Sequence, residues 1–293
     1  MTDIAGVLAA VLSSTLGGVS VGATRHVIAA TDPWTLGAFR FGIGCLLLLP
    51  IAAFGKRPWP KPDDMVGIIS LGLMYFGLFP ILFNASLAFT TAARGALALS
   101  TLPLLTMVAA ALAGVEAMTL RKSAGVLLAM GGVALALMSG LSDSEAGLWR
   151  GDLLMIGAAL CMALYSVWSR PYIRRCGAVP FTAVGMTAGA ACLLFLAWTT
   201  GGLKAVAHFG APEWSAIAFL GILGSAATFY LWSFALEHTT PTRVAISVTI
   251  NPVAAAIFGA LFLDEPIGWN HVTGVAAVML GIGIATSGKE KKP

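Results

Sequence analysis

Charge is what this chain has least of where its hydrophobic stretches run. Only 10% of its residues are Asp, Glu, Lys or Arg, against about 25% in a soluble domain. All thirteen carboxylates fall in loops or at the ends of apolar runs: Asp3, Asp32, Asp63, Asp64, Glu116, Asp143, Glu145, Asp152, Glu213, Glu237, Asp264, Glu265 and Glu290. His26, His208, His238 and His271 also lie at or beyond such ends. A proton relay inside a bilayer needs an ionisable carboxylate or imidazole, so this distribution argues against a mid-membrane proton site. The four cysteines, Cys45, Cys161, Cys176 and Cys192, have neither CxxC nor Cys/His spacing, so no metal site or cofactor is expected. The HExxH, Gly-x-Ser-x-Gly and GxxxxGK[ST] motifs are missing as well, and with them the usual signatures of an enzyme. The loops are too short to carry a binding domain for a sensor or scaffold.

Apolar length is what the chain does have. The composition is 58% hydrophobic with 34 glycines, and the mean hydropathy is +0.89. A helix needs about 20 apolar residues to cross roughly 30 Å of hydrocarbon. Ten stretches qualify: Ile4–Gly22, Pro33–Phe54, Met65–Phe89, Gly95–Val115, Lys122–Ser139, Gly151–Ser169, Val179–Thr199, Trp214–Leu236, Arg243–Leu263 and Asn270–Ser287. The first lacks a basic region before it, so it reads as a retained helix and not a cleaved signal peptide. The fold class expected is all-α and integral to the membrane. A pI near 9.0 then reports orientation and not nucleic-acid binding.

Twelve of the seventeen basic residues gather on the side that holds both termini: Lys56, Arg57, Lys61, Arg121, Lys122, Arg170, Arg174, Arg175, Arg243, Lys289, Lys291 and Lys292. Arg25, Arg94, Arg150 and Lys204 lie opposite, and Arg40 is within the second span. The positive-inside rule puts both termini in the cytoplasm. Trp34, Trp149, Trp168, Trp198, Trp214 and Trp269 mark span ends, where amphipathic rings prefer the interface; Trp232 is the deep exception.

The chain also repeats itself. A shift of 149 positions lays Thr90-Thr91 on Thr239-Thr240, Arg94 on Arg243, Pro103 on Pro252, Glu116 on Glu265, Gly125 on Gly274 and Gly132 on Gly281. Between 90 and 132 there are twelve identities in 43 positions without a gap. Residues 1–140 form a first five-helix repeat, 141–150 an extracytoplasmic loop, and 151–293 a second repeat with a basic cytoplasmic tail. An odd number of spans per repeat turns the second upside down, which is the signature of secondary transporters that work by alternating access.

These features resemble the EamA type of the drug/metabolite transporter superfamily. The resemblance rests on two five-helix halves, on a central proline followed by Glu thirteen residues later in each (Pro103 and Glu116, Pro252 and Glu265), and on Pro33 with Arg40 in the second span. Within it the chain is most similar to bacterial aromatic amino-acid exporters of the YddG type. That likeness implies an inner-membrane exporter of neutral amino acids; the alternative is a proton-coupled multidrug or metabolite antiporter.

The residues themselves suggest a path. Pro103 and Pro252 should kink the fourth and ninth spans, either as a gate or as a structural bend. Asn251 and Ser247, one turn apart, suit either a solute's polar groups or an interhelical hydrogen bond. Tyr75, Phe79, Tyr165, Trp168, Phe229 and Tyr230 offer aromatic walls, and Ser100 and Asn84 polar handles. Arg40 lies about 10 Å below the outer boundary and needs a partner, for which Asn84 is at matching depth; holding a helix pair together is the favoured role and binding a carboxylate the other. Glu116 and Glu265 should pair with cations or cap loops, with coupling left open. The expectation is a facilitator for neutral amino acids. The glycines at 18 and 22 and those seven apart at 125/132 and 274/281 should mark close helix contacts.

Overall fold

The helix starts are written in the chain chemistry. Asp32 accepts hydrogen bonds from the amides of Trp34 and Thr35 at 2.9 Å, with Pro33 in the first turn, where a missing N–H costs nothing. Pro62, Pro171, Pro212 and Pro241 open other helices in the same way. Within helices, the hydroxyls of Thr15, Ser20, Thr24, Ser166 and Thr187 bond to the carbonyl four residues back. That is how a hydroxyl can sit in hydrocarbon without an unpaired polar group.

The structure is a computed structural model that describes residues 2–28, 30–87, 89, 95, 98–136, 148–251, 254 and 269–286. Its helices are α1 (Thr2–Ile28), α2 (Pro33–Phe54), α3 (Pro62–Gly72), α4 (Phe79–Leu87), α5 (Leu102–Leu112), α6 (Leu120–Ala136), α7 (Leu148–Trp168), α8 (Arg170–Cys176), α9 (Ala178–Thr199), α10 (Ala211–Gly221), α11 (Thr228–His238), α12 (Pro241–Ile246) and α13 (Trp269–Thr286). No strand occurs among the described residues. Six segments there are long and apolar enough to cross a membrane: Asp3–Ser20, Pro33–Phe54, Pro62–Ser86, Trp149–Trp168, Ala178–Thr199 and Ala211–His238. They match the first three and the sixth to eighth expected spans. The stretches expected at 95–115, 122–139, 243–263 and 270–287 are described only in part. The basic stretch after α7, expected as a loop, is itself the short helix α8. It turns into α9 at Gly177, whose φ of 85° is open mainly to glycine.

Two wide turns interrupt the long helices. Leu73–Leu78 joins α3 to α4, and Ile222–Ala227 joins α10 to α11, each in π-helical geometry. Both ends are offset by 149 positions, the shift of the sequence repeat. Hydrophobicity carries no mark of a π-turn, so neither was expected.

Helix contacts follow small residues. α6 lies against α13, and a Cβ on Gly125 would come within 2.7 Å of the Gly281 carbonyl oxygen, while one on Gly132 would come equally close to that of Gly274. Because the early residue of one helix faces the late residue of the other, the pair runs antiparallel. Elsewhere α2 pairs with α9, the α3 side of the first π-turn packs on α9, and the α10 side of the second packs on α2. Gly72 meets the Gly185 backbone, and Gly221 meets Ile43. The outer surface is apolar, with Leu46, Phe54, Val66, Leu112, Leu127, Phe195, Trp198 and Leu280 exposed.

The glycine seam should be intolerant of bulk. Gly281→Leu is expected to destabilise the protein by about 1–3 kcal/mol, read as an earlier unfolding midpoint in detergent. Gly131→Leu, whose Cβ would meet nothing within 4 Å, should leave the midpoint in place. Equal midpoints for the two variants would remove the seam from the account.

Candidate functional site

The middle of the bundle is filled by aromatic rings. Tyr75, inside the first π-turn, stacks on Tyr165 of α7 with ring centroids 4.1 Å apart and planes at 29°. Phe76, Phe79 and Phe229 surround Tyr75 at 5.1, 5.6 and 5.5 Å. Phe41 touches Phe76 and Phe229, and Phe181 touches Tyr165. Tyr75 and Tyr165 are only 2% and 1% exposed, and offset or edge contacts of this kind each add about 0.5–1.5 kcal/mol beyond area burial. Beside Tyr165, Thr182 donates to Ser233 at 2.6 Å, tying α9 to α11.

Four of the six aromatic residues singled out from the sequence meet here, and two do not. Trp168 is 49% exposed and walls an outward-facing apolar groove of about 370 Å³ with Leu105, Leu112 and Leu160. It belongs with the interfacial tryptophans at helix ends. Tyr230, half-buried at the edge of the core, has its ring contact with Phe234 at 6.0 Å. Phe76 escaped notice because neighbours in an α-helix diverge by about 100°; the π-turn lets Tyr75 and Phe76 share one cluster. Phe41 and Phe181 carried no signal beyond their hydrophobicity.

Arg40 has partners other than the one expected. Its guanidinium donates to Ser225 Oγ at 3.1 Å and to the Gly224 carbonyl at 2.8 Å. Both acceptors lie in the second π-turn, where a widened turn frees a carbonyl. Asn84, half-buried on α4, is replaced as the partner, because the offset in depth said nothing about which helix packs against α2. Ser13 Oγ donates to the Thr228 carbonyl at 2.8 Å and secures the far edge of the same turn.

Pro103 marks a break in its helix: Ser100 and Thr101 form a turn, in which Thr101 keeps near-helical dihedrals (φ −70°, ψ −14°), and α5 starts with Pro103 in its first turn. Ser100 and Pro103 are both buried. Ser247 makes the interhelical hydrogen bond, 2.8 Å from Ser14 Oγ of α1, which explains its burial without a solute. Asn251 packs over Gly17 and Gly18, and its carboxamide oxygen is buried without a hydrogen-bond partner. Pro252 and Glu265 lie outside the described residues.

Charged groups concentrate at one end. Glu116, its side chain 2% exposed, takes Lys122 Nζ at 2.6 Å, Thr240 Oγ1 at 3.0 Å and the Thr242 amide at 3.2 Å. Asp3 bonds to Thr239 and Arg243. Arg170 donates to the carbonyls of Leu236 and Thr239 at the close of α11. Arg57 pairs with Glu237, Arg175 with Asp64, and Arg121 reaches the Ile284 carbonyl. Six of the basic residues grouped on one side by the sequence, Arg57, Arg121, Lys122, Arg170, Arg175 and Arg243, thus make their contacts at this end, near Asp3 and the end of α13. Lys289, Lys291 and Lys292 lie outside the described residues. Cys176 is buried at this end, and burial pushes its thiol up to about 11, so it is chemically quiet. Among the described residues no three His, Cys, Asp or Glu side chains come together as a metal site would require.

The comparisons with known proteins agree with this architecture. A Bacillus subtilis protein described as the uncharacterized transporter YyaM is 25% identical over 269 residues, which cover 90% of this chain and 88% of the relative. An uncharacterized transporter of Archaeoglobus fulgidus is 22% identical over 272 residues, covering 92% and 95%. A solved structure with 20% identity superposes at a TM-score of 0.79 over 97% of this chain and 98% of its own, so the fold is shared from end to end. The EamA-like transporter family matches twice, over residues 4–138 and again over 149–287. With nearly the whole chain matched in those two stretches, this protein is a multi-pass membrane protein of the EamA-like transporter family.

Proposed function

We propose that the chain is a ten-span secondary transporter of neutral amphipathic metabolites, above all aromatic and other neutral amino acids. Its two halves, residues 1–140 and 151–293 joined by 141–150, are inverted relative to one another and rock about their contact. Both termini face the cytoplasm of a bacterial inner membrane, and the physiological direction is export. Transport is facilitated, with no coupled proton.

The observation that carries the solute class is the Tyr75–Tyr165 stack, 4.1 Å between centroids. One ring comes from each half; Phe76, Phe79, Phe229 and Phe181 contact the pair, and Phe41 backs Phe76 and Phe229. A flat apolar solute exchanges a ring–ring contact for a ring–solute contact of similar energy, so entry costs little. Polar handles of uncharged type, such as the unpartnered Asn251 carboxamide oxygen, suit a zwitterion better than a cation. Inversion is supported by the antiparallel glycine seam, in which Gly125 faces Gly281 and Gly132 faces Gly274. Each glycine meets the repeat counterpart of the other, as a two-fold axis requires. The two π-turns 149 positions apart and the exchange of partners between α2 and α9 point the same way.

Facilitation rests on where the carboxylates are. Glu116, the most enclosed of those described above, lies in the connection between α5 and α6 and is already engaged by Lys122 and two threonines.

Two measurements test this reading. Proteoliposomes holding purified protein should take up labelled phenylalanine and tryptophan saturably, threonine and methionine more weakly, and a cationic dye not at all, with no response to an imposed pH gradient. Uptake of the dye alone, driven by the gradient, would make the protein a proton-coupled antiporter. Tyr75→Leu should raise the KM for aromatic solutes by roughly 2- to 12-fold, the equivalent of one aromatic contact of about 0.5–1.5 kcal/mol. Trp168→Leu should leave that KM unchanged.

A further inference from the structure

The five residues 239–243, which run from the end of α11 into the first turn of α12, are gripped from three directions. Asp3 of α1 bonds to Thr239 and Arg243, and Arg170 at the start of α8 donates to the Thr239 carbonyl at 2.8 Å. The third grip comes from Glu116, in the non-helical stretch between α5 and α6. Its carboxylate receives the Thr240 hydroxyl, the Thr242 amide and the Lys122 ammonium.

Of these grips, only the one at Glu116 ties the α5–α6 connection to the start of α12. The contacts of α6 with α13 are mostly glycine against backbone and apolar side chains such as Val126, Val133, Val278 and Ile282, which water cannot replace; the Arg121–Ile284 hydrogen bond lies at their exposed end. A charge-assisted hydrogen bond is different, because water can take over both donor and acceptor once the carboxylate is exposed. A reversible closure needs contacts of that second kind, placed at the aqueous end of the bundle and buried only while the end is shut. Glu116 and Lys122 fit: both are buried in this structure although they lie at a helix end among exposed neighbours, Ala117 through Arg121.

We propose that Glu116 is the gating residue of the bundle end that carries Asp3. Its carboxylate holds the start of α12 against the α5–α6 connection, and its release opens the interior to water on that side. This gate rests on the reading of the chain as a transporter whose halves rock. It is a positioning role, exerted through Thr240 and Thr242 and not through contact with solute. Lys122 neutralises the carboxylate while the gate is shut.

The reporter is a cysteine at Thr106, a fully buried position on α5 whose hydroxyl has no hydrogen-bond partner, about 9 Å along the helix from Leu112. Cys45, Cys161, Cys176 and Cys192 are replaced by alanine in the full-length chain, and Thr106→Cys is labelled with a membrane-impermeant maleimide in sealed vesicles. The relevant face is the one at which added protease removes an N-terminal tag. Glu116→Gln should raise the labelling rate from that face at least fivefold, and Thr240→Val, which removes one donor, should raise it less. Asp64→Asn, which breaks the exposed Arg175 pair at the same end, should leave it unchanged. The idea is overturned if Glu116→Gln and Thr240→Val both label at the parental rate. It is equally overturned if Asp64→Asn labels as fast as Glu116→Gln, since the effect is then a general loosening. Labelling needs no solute, so an incorrect solute class fails the uptake assay and leaves this result standing.

Discussion

In hydrocarbon, every backbone N–H and C=O must be paired within its own helix, and apolar side chains gain nothing by leaving lipid for one another. Helices therefore associate where their surfaces come close enough for dispersion to add up, which residues with little or no side chain favour, and where hydrogen bonds such as Thr182–Ser233 and Ser14–Ser247 join them. The α6–α13 seam, the Gly72–Gly185 contact and the seating of Asn251 over Gly17 and Gly18 all obey this constraint. The 34 glycines of the chain are the material from which the bundle is assembled, and the larger side chains fill what the backbones leave.

The contacts then divide by what could displace them. Glycine-to-backbone contacts are dry and permanent. The aromatic centre is buried ring against ring, and under the proposed function another flat apolar body takes the place of a ring. The charged end is the part that the proposed gate exchanges with water. A carrier needs all three: a frame that stays, a middle that accepts a guest, and ends that seal and unseal. The π-turns belong to the second class, because their widened geometry turns Tyr75 and Phe76 together into the centre in one helix and offers Arg40 a carbonyl in the other.

Which of these layers could be read beforehand follows from how local each signal is. Six of the spans were visible because twenty apolar residues in a row have one explanation, and the shared end of the basic residues because a short loop cannot carry a charge far. The Glu116–Lys122 pair was within reach, since the two are six residues apart across one connection. The Arg40–Ser225 bond was not, because 185 positions separate the two residues and only the packing of α10 on α2 joins them. The aromatic centre was half legible: Tyr75, Phe79, Tyr165 and Phe229 were anticipated by residue type and spacing. Phe76 needed the π-turn, and Trp168 and Tyr230 needed the rotation of their helices, which a uniformly apolar sequence does not encode. Ser247 shows the limit of polarity as a guide, since a buried hydroxyl is satisfied as well by Ser14 as by a guest.

The glycine seam has a bearing on how the molecule is made. Gly125 and Gly132 of α6 emerge from the ribosome 149 positions ahead of their sequence counterparts on α13. At about 5–20 residues per second, that interval is about 7–30 s. For that time α6 lacks the partner its glycine face packs against, and stripes of small residues are the faces at which membrane helices associate. A chain that stalls before Trp269 keeps that face bare, because Gly274 and Gly281 are then still missing.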